Sequence, residues 1–275
     1  MDLISKAKLQ NIAVEKGFNL IYLEKDYYLT CLLYLIKDID GLYFKGGTAL
    51  NKIFFNHTRL SEDLDFTCIK KISEIKNKIE EIVKTNNNLF TKIGFDKEME
   101  NFTRMQIFYN SYFSKNEYVN IDLNSNAKVL LKQEKHLVPH FYKEIPEFEI
   151  TTLNFKEIIA EKISALIGRN QSRDYFDAYS IIQAKIKIDM PLVRKKLKSG
   201  GKQLLIERIF KNSGKIYHNW EEETSTLTNK PISYKTAITT IAKYFKYKEK
   251  KQKAKNQAKQ LNSQKKINKA KGIKK

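Results

Sequence analysis

Asp63 and Asp65 stand one residue apart, with Leu64 and Phe66 interleaved. In an extended segment side chains alternate between two faces, so the apolar pair lies on one side and both carboxylates on the other. Carboxylates held that close repel, and one takes up a proton unless something positive sits between them. Magnesium suits the place, because it binds through one or two carboxylates together with substrate phosphates. Sixteen residues before Asp63, Gly47 and its neighbour Gly46 end the short apolar and aromatic run at 41–44. Apolar residues at 49, 50, 53 and 54 then recur with helical spacing, which predicts a helix over 48–55. The glycines are therefore expected where a strand meets a helix N-terminus. Unpaired backbone N–H groups and the positive end of the dipole collect there, and a residue without Cβ lets phosphate oxygens approach. Gly46, Gly47 and Thr48 are the candidate triphosphate cradle, and Asp63 and Asp65 the candidate metal ligands.

The joint pattern, FKGGTAL at 44–50 and RLSEDLDF at 59–66, resembles the AbiEii/AbiGii toxin family of nucleotidyltransferase-like proteins. The segment LEKDYYLTCLLYLI at 23–36 is similar to that family's N-terminal helix. Further on, KEIIAEKISALIGRNQSRDYFDAY at 156–179 is similar to its E-K-x-x-A helix followed by an R-D-x-x-D helix. The resemblance covers residues 20–180. It implies an α+β fold of the polymerase-beta minimal nucleotidyltransferase type, a mixed sheet with helices, followed by a helical C-terminal domain. It also implies that Lys162 and Asp177 belong to the active site, and that a further acid stands on a strand beside the Asp63–Asp65 strand.

The residues bear on these positions independently. At about 100° per residue, Phe155, Ile158, Ile159, Ala165 and Leu166 all lie within about 60° of Lys162 on one helix face. A lysine inside an apolar stripe either runs its stem past the neighbours to water or aims its ammonium into a cleft. Arg169 follows two turns on, and a lysine point charge beside an arginine fork suits triphosphate oxygens. Asp177 faces away from the stripe of Tyr175, Tyr179 and Ile182, towards either solvent or a cleft. Asp174 is expected at a helix N-terminus, where the dipole favours an acid. For the further acid, residues 102–109 and 118–123 predict two strands joined by a polar turn near 114–116. Asp122 is opposite in phase to Val119, Ile121 and Leu123, on the polar face of its strand, and is the third candidate metal ligand.

Length and composition fit one large or two small domains: 275 residues, 41% of them hydrophobic, are enough for a core. Apolar runs such as 30–36 fall well short of the ~20 residues a membrane span needs, and no signal-peptide pattern opens the chain, so a cytoplasmic location is expected. Cys31 and Cys68 sit in apolar contexts and are expected as buried thiols. The four histidines have no zinc-type spacing with them, and Pro139 interrupts the His136–His140 interval. The expected organisation is a helical lead-in over 1–40, a nucleotidyltransferase core over 41–150, a helical domain completing the active site over 151–245, and a disordered tail over 246–275. That tail holds 13 lysines and one glutamate, a net +12 of the chain's +20. Such a segment attracts polyanions by counterion release, with RNA the expected partner, or else serves only solubility.

The expected activity is transfer of a nucleoside monophosphate from an NTP to an acceptor, most readily RNA such as tRNA, with pyrophosphate released. In that scheme Asp63 and Asp65, with Asp122, hold one or two magnesium ions. Arg59 and Ser61 support triphosphate oxygens, Lys162 neutralises nucleotide charge, and Asp177 orients or deprotonates the acceptor hydroxyl. The family resemblance adds a separately encoded antitoxin as partner. A protein or small-molecule acceptor, or a non-catalytic RNA-binding module, are the other classes open to this sequence.

Overall fold

A computed structural model of the chain describes residues 2–169, 171–211 and 213–247. Among them, seven strands form one mixed sheet: β1 (Leu42–Lys45), β2 (Asp63–Cys68), β3 (Phe90–Met99), β4 (Phe102–Tyr109), β5 (Tyr118–Asn124), β6 (Glu134–Leu137) and β7 (Glu149–Thr152). Their order across the sheet is β3-β4-β5-β2-β1-β7-β6. Around it run α1 (Lys6–Lys16), α2 (Leu20–Ile36), α3 (Gly46–Ala49), α4 (Ile72–Thr85), α5 (Phe155–Gly168), α6 (Ser172–Gln183), α7 (Met190–Ser199), α8 (Arg208–Lys211), α9 (Ser213–Thr224) and α10 (Tyr234–Tyr244). The architecture is the α+β type expected. The lysine-rich tail expected over 246–275 lies, beyond Tyr247, outside the described residues.

The central strands carry the alternation that the sequence predicts. In β5, Val119, Ile121 and Leu123 are fully buried while Asn120 and Asp122 are half-buried on the other face. In β2, Leu64 and Phe66 are fully buried while Asp63 and Asp65 are not. β2 runs parallel to β5 with Asp65 opposite Asp122 and Asp63 opposite Asn120, and antiparallel to β1 with Asp65 opposite Lys45. Residues directly opposed in a sheet share a face, so these polar side chains form one patch at the sheet centre. β7 joins the sheet beside β1, parallel to it through Phe44 and Thr152.

Helix α5 starts at Asn154, whose side chain accepts from the Lys156 N–H, and α2 starts at Asn19, which caps the Ile21 and Tyr22 N–H groups. Apolar residues of α2, α5 and α6 and of the sheet's inner face form one continuous core reaching from Ile4 to Phe245. The helix expected over 48–55 is not regular. After α3 the chain widens into a π-helical turn over Leu50–Phe54, with the Phe55 N–H on Leu50 O at 3.1 Å. Asn56 and His57 then take positive φ values of 46° and 56°. The extra residue in this turn leaves both Asn51 and Lys52 buried, although consecutive positions of a helix diverge. Lys52 Nζ reaches Asp26 at 2.8 Å and Thr30 at 3.0 Å on α2.

Candidate active site

The glycine pair opens α3 directly after β1, as the sequence predicts, and no side chain caps that turn. Gly46 has φ +78°, and a Cβ there would lie 2.0 Å from Asp65 Oδ2. A Cβ on Gly47 would lie 2.7 Å from Arg59 Nη2 and 3.1 Å from Lys162 Nζ. The two glycines thus bring the backbone between Asp65 on one side and two cations on the other; no larger residue fits at Gly46, and one at Gly47 would have to displace the tips of Arg59 and Lys162. Thr48 ties the turn to β2 by donating its hydroxyl to the Asp63 carbonyl.

The cations are held from behind. Asp177 on α6 is fully buried and accepts from Arg59 Nε at 2.9 Å, Arg59 Nη2 at 3.0 Å and Lys162 Nζ at 3.0 Å. Asn51, in the π turn, donates to Asp177 Oδ1 at 3.1 Å and to the Gly47 carbonyl at 2.9 Å. Burial alone raises the pKa of a carboxyl, but Arg59 and Lys162 with these hydrogen bonds outweigh it and hold Asp177 far below the usual carboxylate range. Arg59 Nη1 donates to the Leu60 carbonyl and to Ser61 Oγ at 2.9 and 3.1 Å.

Across the glycine turn the balance is reversed. Asp63 Oδ1 accepts from Asn120 at 2.9 Å, a neutral donor, and Asp65 makes no hydrogen bond among the described residues. Burial pushes the Asp65 carboxyl up; Lys162 and Lys45 oppose this, and the Asp122 and Asp63 charges add to it. A cleft of about 240 Å³ opens here, lined by Gly47, Thr48, Arg59, Ser61, Asp63, Asp65, Asp122 and Lys162 together with Glu62, Arg104, Arg169, Gln171 and Arg173.

A family model described as the nucleotidyl transferase AbiEii toxin of a Type IV toxin–antitoxin system matches residues 28–261. The chain belongs to the AbiEii nucleotidyltransferase toxin family. Among solved structures it is similar to MenT4, a nucleotidyltransferase toxin from Mycobacterium tuberculosis, at 19% identity and TM-score 0.69, over 88% of this chain and 89% of that one. It is also similar to JHP933 from Helicobacter pylori, at 19% identity and TM-score 0.56, over 88% of this chain and 99% of that one. No curated protein sequence matches. At these identities the structural likeness speaks for the fold, and the family rests on the sequence match. That match runs well past residue 180, where the motifs legible in the sequence end.

In this AbiEii chain the fold gathers every expected site residue in one region, but two pairings depart from expectation. Both oxygens of Asp122 accept from Arg104, Nε and Nη2, at 2.7 Å each. Among the described residues no group of three or more acids, histidines or cysteines takes a metal-holding arrangement, and the oxygens of Asp122, expected as a third ligand beside Asp63 and Asp65, face Arg104. Arg169, expected as a free fork beside Lys162, is bidentate on Asp174 at 2.8 and 2.9 Å. Magnesium nonetheless fits the donor set of Asp63 and Asp65, since it needs only one or two carboxylates and Asp65 has no hydrogen bond among the described residues. Both cysteines are buried free thiols, with burial pushing Cys31 up to about 12 and Cys68 up to about 11. No helix among the described residues is long and apolar enough to cross a membrane.

Two residues of the site were beyond sequence reasoning. Asn51 and Arg104 act through partners 126 and 18 positions away, which no local pattern reveals. Lys52 did carry a signal: like Lys162, it is a lysine among apolar helix positions, and it too proves buried and paired.

Proposed function

We propose that this toxin-family chain transfers a nucleoside monophosphate from an NTP to an acceptor hydroxyl, with RNA such as tRNA as acceptor and pyrophosphate as leaving group. The observation that carries the reading is the uncompensated Asp63–Asp65 pair, facing Lys162 across a turn that only glycine fits. Magnesium bound to that pair supplies charge neutralisation on the phosphates and polarises the reacting phosphorus. The chain's own groups do the positioning. Lys162 uses one of its three N–H donors on Asp177 and keeps two for phosphate oxygens beside the Gly46–Gly47 backbone. Arg59 is nearly saturated: of five N–H groups, two meet Asp177 and two meet Leu60 and Ser61. It therefore keeps one donor for a nucleotide oxygen, and Ser61 acts by fixing its fork. Asp177, held anionic and sealed from the cleft, is a poor base, so its part is to aim Arg59 and Lys162 rather than to deprotonate the acceptor. The net charge of +20 favours a polyanionic acceptor. A separately encoded antitoxin accords with the Type IV family.

The test is incubation of the purified chain with total bacterial RNA, magnesium and each α-labelled NTP in turn, beside Asp63→Ala. Label on RNA with the parent chain alone is the expected result. Equal labelling by a well-folded Asp63→Ala protein removes the site assignment, and no label with any NTP removes RNA as acceptor.

A further inference from the structure

At the level of Asp65 the sheet carries a row of four charged residues, one per strand: Arg104 on β4, Asp122 on β5, Asp65 on β2 and Lys45 on β1, each directly opposite the next. Directly opposed side chains share a face, so the row runs cation, anion, anion, cation across the floor of the cleft. Its two ends differ. Lys45 turns aside to Glu161 on α5 at 3.4 Å, and Asp65 has no hydrogen bond among the described residues. Arg104 instead holds Asp122 through both oxygens at 2.7 Å. This is the two-pronged, charge-assisted geometry that fixes a guanidinium in place. Asp122 is largely enclosed, its side chain 13% exposed, whereas that of Arg104 is 35% exposed and borders the cleft. Two of the five N–H groups of Arg104 serve Asp122, Nη1 lies 3.9 Å from Asp96, and the Asp63 charge also acts on the guanidinium.

From this we propose that the centre takes a single divalent cation, on Asp63 and Asp65, and that Arg104, oriented by Asp122, supplies the second positive charge to a phosphate oxygen of the nucleotide. The inference rests on the nucleotidyltransferase reading of the cleft. A second ion would need lone pairs of Asp122, and both of its oxygens already face a guanidinium. Displacing it would break two charge-assisted hydrogen bonds and leave Arg104 unpaired beside the ion. A tethered guanidinium provides the same sign of charge at the same edge of the site without having to be recruited from solution. The arrangement separates two properties that a two-ion site would join: metal affinity should depend on Asp63 and Asp65 and be indifferent to Asp122, while nucleotide affinity should depend on Arg104 and, through it, on Asp122.

The experiment is titration of Mn²⁺ into the full chain, followed by electron paramagnetic resonance, with and without a non-hydrolysable α,β-methylene ATP analogue. Analogue affinity is measured in parallel, and folding of each variant is checked by thermal unfolding. We expect one Mn²⁺ per chain with the analogue bound, and Asp63→Asn to weaken Mn²⁺ about tenfold or more. Asp122→Asn should leave Mn²⁺ affinity within about twofold, because its oxygens are not ligands. Arg104→Gln and Asp122→Asn should each weaken the analogue about tenfold, and the double variant no more than Arg104→Gln alone. If Asp122→Asn does not fold, the double variant, which removes both charges together, carries the metal comparison. Two Mn²⁺ per chain, or loss of Mn²⁺ on replacing Asp122 comparable to that for Asp63→Asn, overturns the single-ion proposal and leaves the nucleotidyltransferase reading standing. Unchanged Mn²⁺ binding in Asp63→Asn overturns that reading and the proposal with it.

Discussion

Asp177 and Asp65 lie on opposite sides of one glycine turn, and their surroundings are inverted. Asp177 is enclosed by an arginine, a lysine and an amide, every oxygen engaged, and is held anionic. Asp65 is half-buried with two further acids nearby, has no hydrogen bond among the described residues, and is pushed towards its protonated form. A buried charge that is fully compensated is part of the fold, since breaking the pair leaves charges stranded in a low-dielectric interior. A carboxylate held against its own preference is sustained by the rest of the structure, and such strain gathers where a ligand completes the balance. The two acids thus divide the labour: one aims the cations, the other waits for one.

Replacing both acids is the sharpest way to break this comparison. Asp177→Asn should lower stability by about 3–5 kcal/mol by stranding Arg59 and Lys162, read as a large fall in the urea midpoint. Asp65→Asn should do the reverse, raising the melting temperature by up to about 4 °C at neutral pH while cutting transfer on the order of a thousandfold. Gly46→Ala comes next: with φ +78° and a Cβ landing on Asp65 Oδ2, it should displace that carboxylate and cost about 1–3 kcal/mol together with most of the transfer activity.

The two acids also give opposite pH dependences. Asp177, lowered in the fold, contributes stability that is present above the ordinary carboxylate range and is lost as pH falls towards its folded pKa. Asp65, raised in the fold, contributes stability at low pH that is lost as pH rises through its folded pKa. Denaturant titrations against pH should therefore show a shallower acid loss in Asp177→Asn and a neutral-pH gain in Asp65→Asn. A smaller effect belongs to His57, which burial and Lys52 push down to about 3, against 6.5 for an ordinary histidine. The unfolded chain binds that proton first, so stability should fall between pH 6.5 and about 3, and His57→Gln should flatten this part of the profile.

Much of this division was legible beforehand, for local reasons. The Asp63–Asp65 alternation, the Asp122 phase and the glycine turn are patterns within ten residues, where strand and helix periods operate directly. Lys162 was visible as a cation out of place on an apolar face. What the sequence hid is pairing: Arg59 with Asp177, 118 positions apart, and Arg104 with Asp122 across a hairpin, depend on which elements the fold brings together. The π turn was hidden too, because apolar spacing at 49, 50, 53 and 54 reads the same whether or not a later turn is widened. β3 escaped because nearly all its residues after Phe90 are exposed or half-buried, leaving no apolar face to alternate.

The most direct test of the account is a paired measurement on Asp65→Asn: thermal unfolding and NTP-dependent labelling of the acceptor on the same preparation. The expected result is a protein at least as stable as the parent at neutral pH that has lost transfer. A variant that is destabilised, or one that folds and still transfers at the parent's rate, would contradict the claim that Asp65 is left unsatisfied for the reaction.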